Sequence, residues 1–227
     1  MTSYSELWAK YTDGQEPYPL LAHLLDSAAI GRVLFEEWLR PGLQSIIREQ
    51  LGPQAKSIVQ AVVGFHDIGK ASPFFQERRN ENDEKWGVIQ DRIRSSGNFN
   101  ELDPGSVLFS REPKFVRRHE QWSAYALKQG FLSSRDFVTD QWESLVAIAH
   151  HGKFSIPGTT KARVLASVQG DLRSSGYSQA QQDLIGLILE ACGFVRDQLP
   201  KSVSSTVTIL LSGLTILADR IASGGVY

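Results

Sequence analysis

Apolar residues recur at helical spacing through nearly the whole of this chain, and strand-like alternation is scarce. Residues 20–39 read as one amphipathic helix, with Leu24, Leu25, Ala28, Phe35 and Trp38 toward a core and Pro41 ending it. Residues 54–67 form a second, stopped by Gly69. Ser72-Pro73 fits an N-cap followed by proline at the first helical position, opening a short helix through Phe74 and Phe75. Residues 119–129 follow, with Gly130 as a C-terminal stop. Residues 140–151 open with Asp140 and Glu143 spaced like a capping box and end at Gly152. Residues 178–199 and 205–222 complete the set. The pattern predicts an all-α fold, a compact helical domain over residues 1–227, which is long enough to bury a sizeable core. Two stretches read as irregular, 77–114 and 152–163, and such loops commonly carry substrate contacts.

All five histidines stand where a metal site could use them: His23, His66, His119 and the adjacent pair His150-His151. His66 is followed at once by Asp67 in the run Gly64-Phe65-His66-Asp67-Ile68-Gly69-Lys70, and Asp219 lies late in an apolar helical run. Imidazoles and carboxylates without thiolates suit borderline divalent ions such as manganese, iron, cobalt, nickel or zinc. Neighbouring residues on a helix point about 100° apart, yet at a helix end His66 and Asp67 can reach one ion or two. A carboxylate has two oxygens, so Asp67 could bridge a pair. His23, His66, Asp67 and Asp219 could hold one ion; Asp67, His119, His150 and His151 could hold the other. That grouping requires four or five helices to converge, which a compact bundle allows. Two ions about 3.5–4 Å apart activate a water and stabilise charge built up at phosphorus.

Each feature has a plainer reading when taken alone. A lone histidine on an apolar helix is more often a core residue than a ligand, and an HD dipeptide arises often by chance. Asp26 could orient His23 from behind, or be a solvated helix carboxylate. Trp8, Trp38, Trp122 and Trp142 read as core. Lys70 could neutralise a phosphate oxygen, although lysine is favoured near any helix C-terminus. Arg117 and Arg118, with Lys114 and Arg111, form a small basic patch that could steer a phosphodiester backbone. The run from Gly64 to Ala71 nearly matches a phosphate-binding loop, but the hydroxyl is missing at Ala71 and no βαβ pattern follows.

Composition excludes several classes. A net charge of -1 provides no global attraction to nucleic acid, so polyanion binding must come from local patches or bound metal. The single Cys192 rules out an internal disulfide framework and argues for a reducing compartment. The N-terminus is too polar for a signal peptide. The longest apolar stretch, residues 206–218, is shorter than a membrane span and carries Ser212 and Thr215. The expectation is a soluble cytoplasmic protein with no membrane partner.

The chain resembles the HD superfamily of metal-dependent phosphohydrolases. More closely, it resembles the HD nuclease domain of the CRISPR-associated helicase–nucleases of type I systems. The matching pieces run in order: Leu7-Trp8-Ala9-Lys10; Pro19-Leu20-Leu21-Ala22-His23-Leu24-Leu25-Asp26; Phe65-His66-Asp67-Ile68-Gly69-Lys70 with the trailing Ser72-Pro73-Phe74-Phe75-Gln76. Arg118-His119-Glu120, His150-His151-Gly152 and Leu217-Ala218-Asp219-Arg220-Ile221-Ala222-Ser223 follow. The resemblance implies an endo- and exonuclease acting on single-stranded DNA in antiviral interference. Its partners would be a helicase domain, in cis or in trans, and an RNA-guided surveillance complex. It implies two divalent transition-metal ions (manganese, cobalt, nickel or iron), held by His23, His66, Asp67 and Asp219 on one side and by His119, His150 and His151 on the other. Asp67 would bridge them. Asp67 and Lys70 would be catalytic, with Lys70, Arg118, Lys153 and Ser223 as substrate contacts. Water would attack phosphorus without a covalent enzyme intermediate.

Members of this branch usually carry tryptophan after the final aspartate, where this chain has Arg220, and continue into a helicase. The expectation is the front end of a longer helicase–nuclease, or a stand-alone nuclease subunit, without ATP-driven unwinding of its own. An HD nucleotidase or cyclic-nucleotide phosphodiesterase acting on small substrates is the alternative. A binding module of the same fold that has lost its metals is a second rival, which the complete ligand set opposes.

Overall fold

A computed structural model describes residues 4–11, 16–77, 84–99, 118–131, 142–154, 175–194 and 198–224. Helices dominate, as the periodicity predicts. A short antiparallel pair, β1 (Trp8–Lys10) and β2 (Tyr18–Pro19), leads directly into α1 (Leu20–Val33). Then come α2 (Pro41–Leu51), α3 (Ala55–Gly64), α4 (Pro73–Gln76) and α5 (Glu84–Ser95). The remaining helices described are α6 (His119–Phe131), α7 (Trp142–Ala149), α8 (Tyr177–Ala191) and α9 (Ser205–Gly224).

The core lies where α1 crosses α3 and α9, with α7 closing one side and α6 packed on α7. On α1 the buried residues are Leu20, His23, Leu24, Ser27, Ala28 and Gly31, a single stripe at spacings of three and four. His23 therefore sits within the apolar seam, between leucines whose burial stabilises the fold by about 1.5–3 kcal/mol each. On α9 the buried stripe runs from Val207 to Ala222 and brings Asp219 to its edge. The hydroxyls within that stripe are satisfied locally: Ser212 Oγ donates to the Thr208 carbonyl and Thr215 Oγ1 to that of Leu211, each at 2.8 Å. At 20 residues α9 is long and apolar enough to span a bilayer by composition, more so than its apolar run suggested, but its buried face is spent on α1 and α7.

Several expected boundaries shift. The first helix ends at Val33 and passes into a π-helical turn, Leu34–Trp38, which carries Trp38 out to 62% exposure instead of into the core. Pro41 opens α2 rather than only closing α1: it stands at the first helical position, where its missing N–H costs nothing. The second predicted helix stops at Gly64, not at Asp67, so the HD pair lies on the turn beyond it. α5 occupies part of the stretch read as irregular, and α8 ends at Ala191, earlier than expected. Gly130 lies inside the last turn of α6. Gly152 does stop its helix, at a left-handed φ of 78°, with its amide donating to the Ala149 carbonyl. Asp140, Arg111, Lys114, Arg117, Pro157-Gly158, Lys161 and Arg163 lie outside the described residues.

Candidate metal centre

His66 and Asp67 follow the last turn of α3, and a 3-10 turn, Ile68–Lys70, follows them. Three side chains tie this segment down. Gln76 of α4 accepts from the Trp8 amide at 3.2 Å and donates to the carbonyls of Trp8 and Lys70 at 2.8 and 2.9 Å. Gln181 of α8 donates to the Ala71 carbonyl at 2.7 Å. Ser123 of α6 accepts from the Gly69 amide at 2.9 Å. Gly69 permits this last contact, because a Cβ there would stand 1.9 Å from the His119 carbonyl oxygen. Phe75 packs on Trp8 with ring centroids 4.6 Å apart and meets the His119 ring edge-on at 5.7 Å. The Gln76 buckle and the Gly69 contact had no assigned role in the sequence. The run Phe74-Phe75-Gln76 after the HD pair is the signal that could have found the first.

Five elements deliver their side chains to one point. Asp67 Oδ2 lies 3.1 Å from His23 Nε2 and 3.3 Å from His66 Nε2. Asp219 Oδ1 approaches the same two nitrogens at 3.3 and 3.5 Å. The other oxygen, Asp67 Oδ1, lies 3.1 Å from His119 Nε2 and 3.3 Å from His150 Nε2. His119 Nε2 is in turn 3.3 Å from His150 Nε2 and 3.0 Å from His151 Nε2. All seven residues singled out as metal ligands thus form two groups, His23-His66-Asp67-Asp219 and His119-His150-His151, with Asp67 presenting one oxygen to each.

The donor set fits cations. Nδ1 of His66 is 2.9 Å from the Val63 carbonyl, and Nδ1 of His150 is 2.5 Å from that of Ala147. A carbonyl only accepts, so both Nδ1 atoms carry hydrogen, which leaves Nε2 of each ring turned toward a carboxylate oxygen. An N–H given to a backbone carbonyl is one of the ways in which metal-binding imidazoles are oriented. His66 Nε2 and Asp67 Oδ1 are buried without a partner in hydrogen-bonding geometry. Acceptors facing acceptors in a dry interior require a positive charge between them.

Electrostatics agree. Burial alone would push the His66 imidazole down, but Asp67 and Asp219 outweigh it and raise its pKa to about 9. A proton there takes the place a cation could take. Burial would raise both carboxylates, yet Lys70 and His66 hold Asp67 well below its usual range, and His23 and His66 do the same for Asp219. In the second group, burial lowers His119 despite Asp67, while burial, His150 and His119 push His151 down to about 4. Those two rings are neutral at physiological pH, the form that binds metal.

The remaining candidates divide. Lys70 is buried, with Nζ 2.6 Å from Asp67 Oδ2. Ser223 donates to Asp219 Oδ1 at 3.0 Å, holding that carboxylate in place. Arg118 pairs with the buried Glu120, and Lys153 is exposed beyond Gly152. Asp26 does not orient His23: its carboxylate accepts from the Tyr18 hydroxyl, and His23 Nδ1 is buried without a hydrogen bond. Lys10 of β1 also lies near the site. Burial and then Lys70 lower its pKa against the pull of Asp219 and Asp67, which puts it in the field of the site.

A family model described as the HD domain of Cas3 matches residues 8–226. The CRISPR-associated nuclease/helicase Cas3 of Streptococcus thermophilus is 26% identical over 236 residues, covering 95% of this chain and 24% of that protein. The chain therefore spans about a quarter of that curated relative. A solved structure described as a CRISPR-associated protein superposes with a TM-score of 0.76 at 25% identity, over 97% of this chain and 23% of the other. The Thermus thermophilus cas3 HD domain, crystallised in the presence of Ni2+, shares the fold with a TM-score of 0.59 at 23% identity, over 98% of this chain and 78% of that one.

Proposed function

Since the chain belongs to the Cas3 HD-domain family, we propose that it is a metal-dependent nuclease domain that hydrolyses phosphodiester bonds of single-stranded DNA in CRISPR interference. A helicase domain and an RNA-guided surveillance complex would be its partners. The observation that carries the reading is the division of Asp67: one oxygen faces His23 and His66, the other His119 and His150. His23, His66, Asp67 and Asp219 would hold one divalent ion, and Asp67, His119, His150 and His151 a second.

Two ions so held would supply Lewis-acid polarisation of the phosphoryl group and a water acidic enough to attack it near neutral pH. The chain does the rest. Nδ1–H bonds from His66 and His150 to backbone carbonyls fix which ring nitrogen faces inward. Ser223 orients Asp219. Lys70 balances the buried Asp67 charge and lies close enough to neutralise a phosphate oxygen as charge grows in the transition state. Water adds to phosphorus as the bond to the leaving oxygen breaks, and no side chain bonds to the phosphoryl group. Lys153, beyond His151, and Arg118, beside His119, would steer the backbone of the strand.

The test is cleavage of circular single-stranded DNA by metal-stripped protein, with manganese, cobalt, nickel, iron, zinc or magnesium added back singly, beside Asp67→Ala. Cutting that needs a transition metal and disappears in the variant supports the reading, and linearised product makes it endonucleolytic. Intact circles alongside hydrolysis of nucleoside monophosphates or cyclic nucleotides would replace it with a small-molecule phosphohydrolase.

A further inference from the structure

A cavity of about 520 Å³ opens between the C-terminal end of α7 and one face of α9. That is within the ~300–1,000 Å³ of sites that enclose small molecules. One wall is His151 with Gly152; the other is Ile216, Asp219, Arg220 and Gly224. The α9 residues recur at spacings of three, four and eight, so they share a face of the helix. Open space lies beside both walls, since a Cβ at Gly152 or at Gly224 would meet nothing within 4 Å. The cavity borders both ligand groups, through His151 on one side and Asp219 on the other.

Arg220 is the notable wall residue. It is exposed and forms no ion pair with any described residue, whereas Arg118 pairs with Glu120. It follows Asp219 directly, and one helical step turns the side chain about 100°. Asp219 therefore turns its carboxylate to the histidines at the cavity's border, while Arg220 lines the wall beside it. The metal cluster already has its own cation in Lys70, at 2.6 Å from Asp67. A guanidinium beside that cluster, with no ion pair among the described residues, has the fork geometry that grips phosphate through two N–H groups.

We propose that this cavity is a nucleotide subsite next to the reacting phosphodiester, and that Arg220 grips the neighbouring phosphate of the same strand. Ile216 supplies apolar surface for the sugar or base. The proposal rests on the phosphodiesterase reading above and deepens it: it makes the enzyme prefer a polymer, with a second phosphate within reach, over a small ester with only one. Arg220 is a positioning residue and takes no part in bond breaking.

The experiment compares the parent chain, Arg220→Ala and Arg220→Lys, loaded with manganese, on a short oligothymidylate and on bis(p-nitrophenyl) phosphate, which has a single phosphate. Binding of oligothymidylate to the metal-free chain is also measured across a salt series. The expected result for Arg220→Ala is a KM for oligothymidylate raised about tenfold with kcat little changed, the effect of one charge-assisted contact. The loss on bis(p-nitrophenyl) phosphate should be much smaller. The slope of log affinity against log salt should fall by about 0.7, one phosphate contact fewer on a single strand. Arg220→Lys should restore most of that slope. An equal loss on both substrates, or an unchanged salt slope, overturns the proposal. If the parent hydrolyses neither substrate, the phosphodiesterase reading fails, while the salt slopes still decide whether Arg220 holds a phosphate.

Discussion

Replacing Gly69 by alanine tests how the site is assembled without touching a ligand. The added Cβ would lie 1.9 Å from the His119 carbonyl oxygen and 2.4 Å from the Ser123 amide nitrogen. Real Cβ contacts essentially never fall under 3.0 Å, so the turn carrying Asp67 and the first turn of α6 must part by about 1.1 Å or more. Both obstructing atoms are backbone, so no rotamer change relieves the clash. The 2.9 Å bond from the Gly69 amide to Ser123 Oγ breaks as they part. Overpacking costs about 1–3 kcal/mol and the lost bond about 1 kcal/mol, for a total near 2–4 kcal/mol. At about 2–4 °C per kcal/mol for a chain of this size, the melting temperature should drop by roughly 5–15 °C. His119 moves with its carbonyl, away from Asp67 Oδ1, which it now approaches at 3.1 Å. A misplacement of about 1 Å at a reacting centre costs on the order of 100-fold in rate. The assay pairs a circular-dichroism melt with a time course of single-stranded DNA cleavage. Gly186→Ala is the control: it is exposed on α8, its Cβ would meet nothing within 4 Å, and it should stabilise by up to about 1 kcal/mol. A Gly69→Ala protein that melts with the parent and cuts at the parent's rate would refute the argument.

Other outcomes follow from the geometry of the site and its surroundings. On the proposed two-ion reading, Asp67→Ala should lower bound metal to fewer than one ion per chain by elemental analysis, and cut activity by more than about 100-fold; full occupancy in the variant would end the bridging assignment. Below pH 9 an ion at the first group must displace the proton that Asp67 and Asp219 hold on His66. Calorimetry in buffers of different ionisation enthalpy should therefore show proton release at neutral pH, with affinity falling about tenfold per pH unit lost; binding without proton release would count against it. Manganese at about 100 times its Kd should stabilise the parent by about 2.7 kcal/mol, and His150→Ala should lose part of that gain in a thermal melt. Glu143 provides a test independent of metal. Its carboxyl is buried, and that burial raises its pKa to about 7. The folded state thus holds the proton that the unfolded chain releases, and stability falls as pH rises from about 4.5 to 7. Glu143→Gln should be more stable than the parent at pH 8, by at most about 3 kcal/mol, with the gain gone near pH 4; equal denaturation midpoints at pH 8 would reject it.

Much of this protein is legible in one dimension because helices and ligands each leave local marks. The stripe Leu20-His23-Leu24-Ser27-Ala28 declares both a helix and a histidine facing its seam. His66-Asp67 and His150-His151 are adjacent in sequence, so their proximity needs no fold, and a helical all-α domain can bring them together. Local pattern misled where tertiary packing outweighs propensity. Trp38 lies on the apolar stripe of a straight helix, but the π-helical turn at Leu34–Trp38 shifts the register and turns it to solvent. Asp26 has the spacing to reach His23, but Tyr18, delivered by β2, takes its carboxylate. The sequence by itself determined the helical class, the seven candidate ligands and their division into two groups. Only the tertiary structure decided which oxygen of Asp67 faces which histidines, that Gln76 and Gly69 hold the HD turn in place, and that Arg220 lines a cavity with no ion-pair partner among the described residues. Those are relations between segments far apart along the chain, fixed by close packing and by buried polar atoms seeking partners, and no local pattern encodes them.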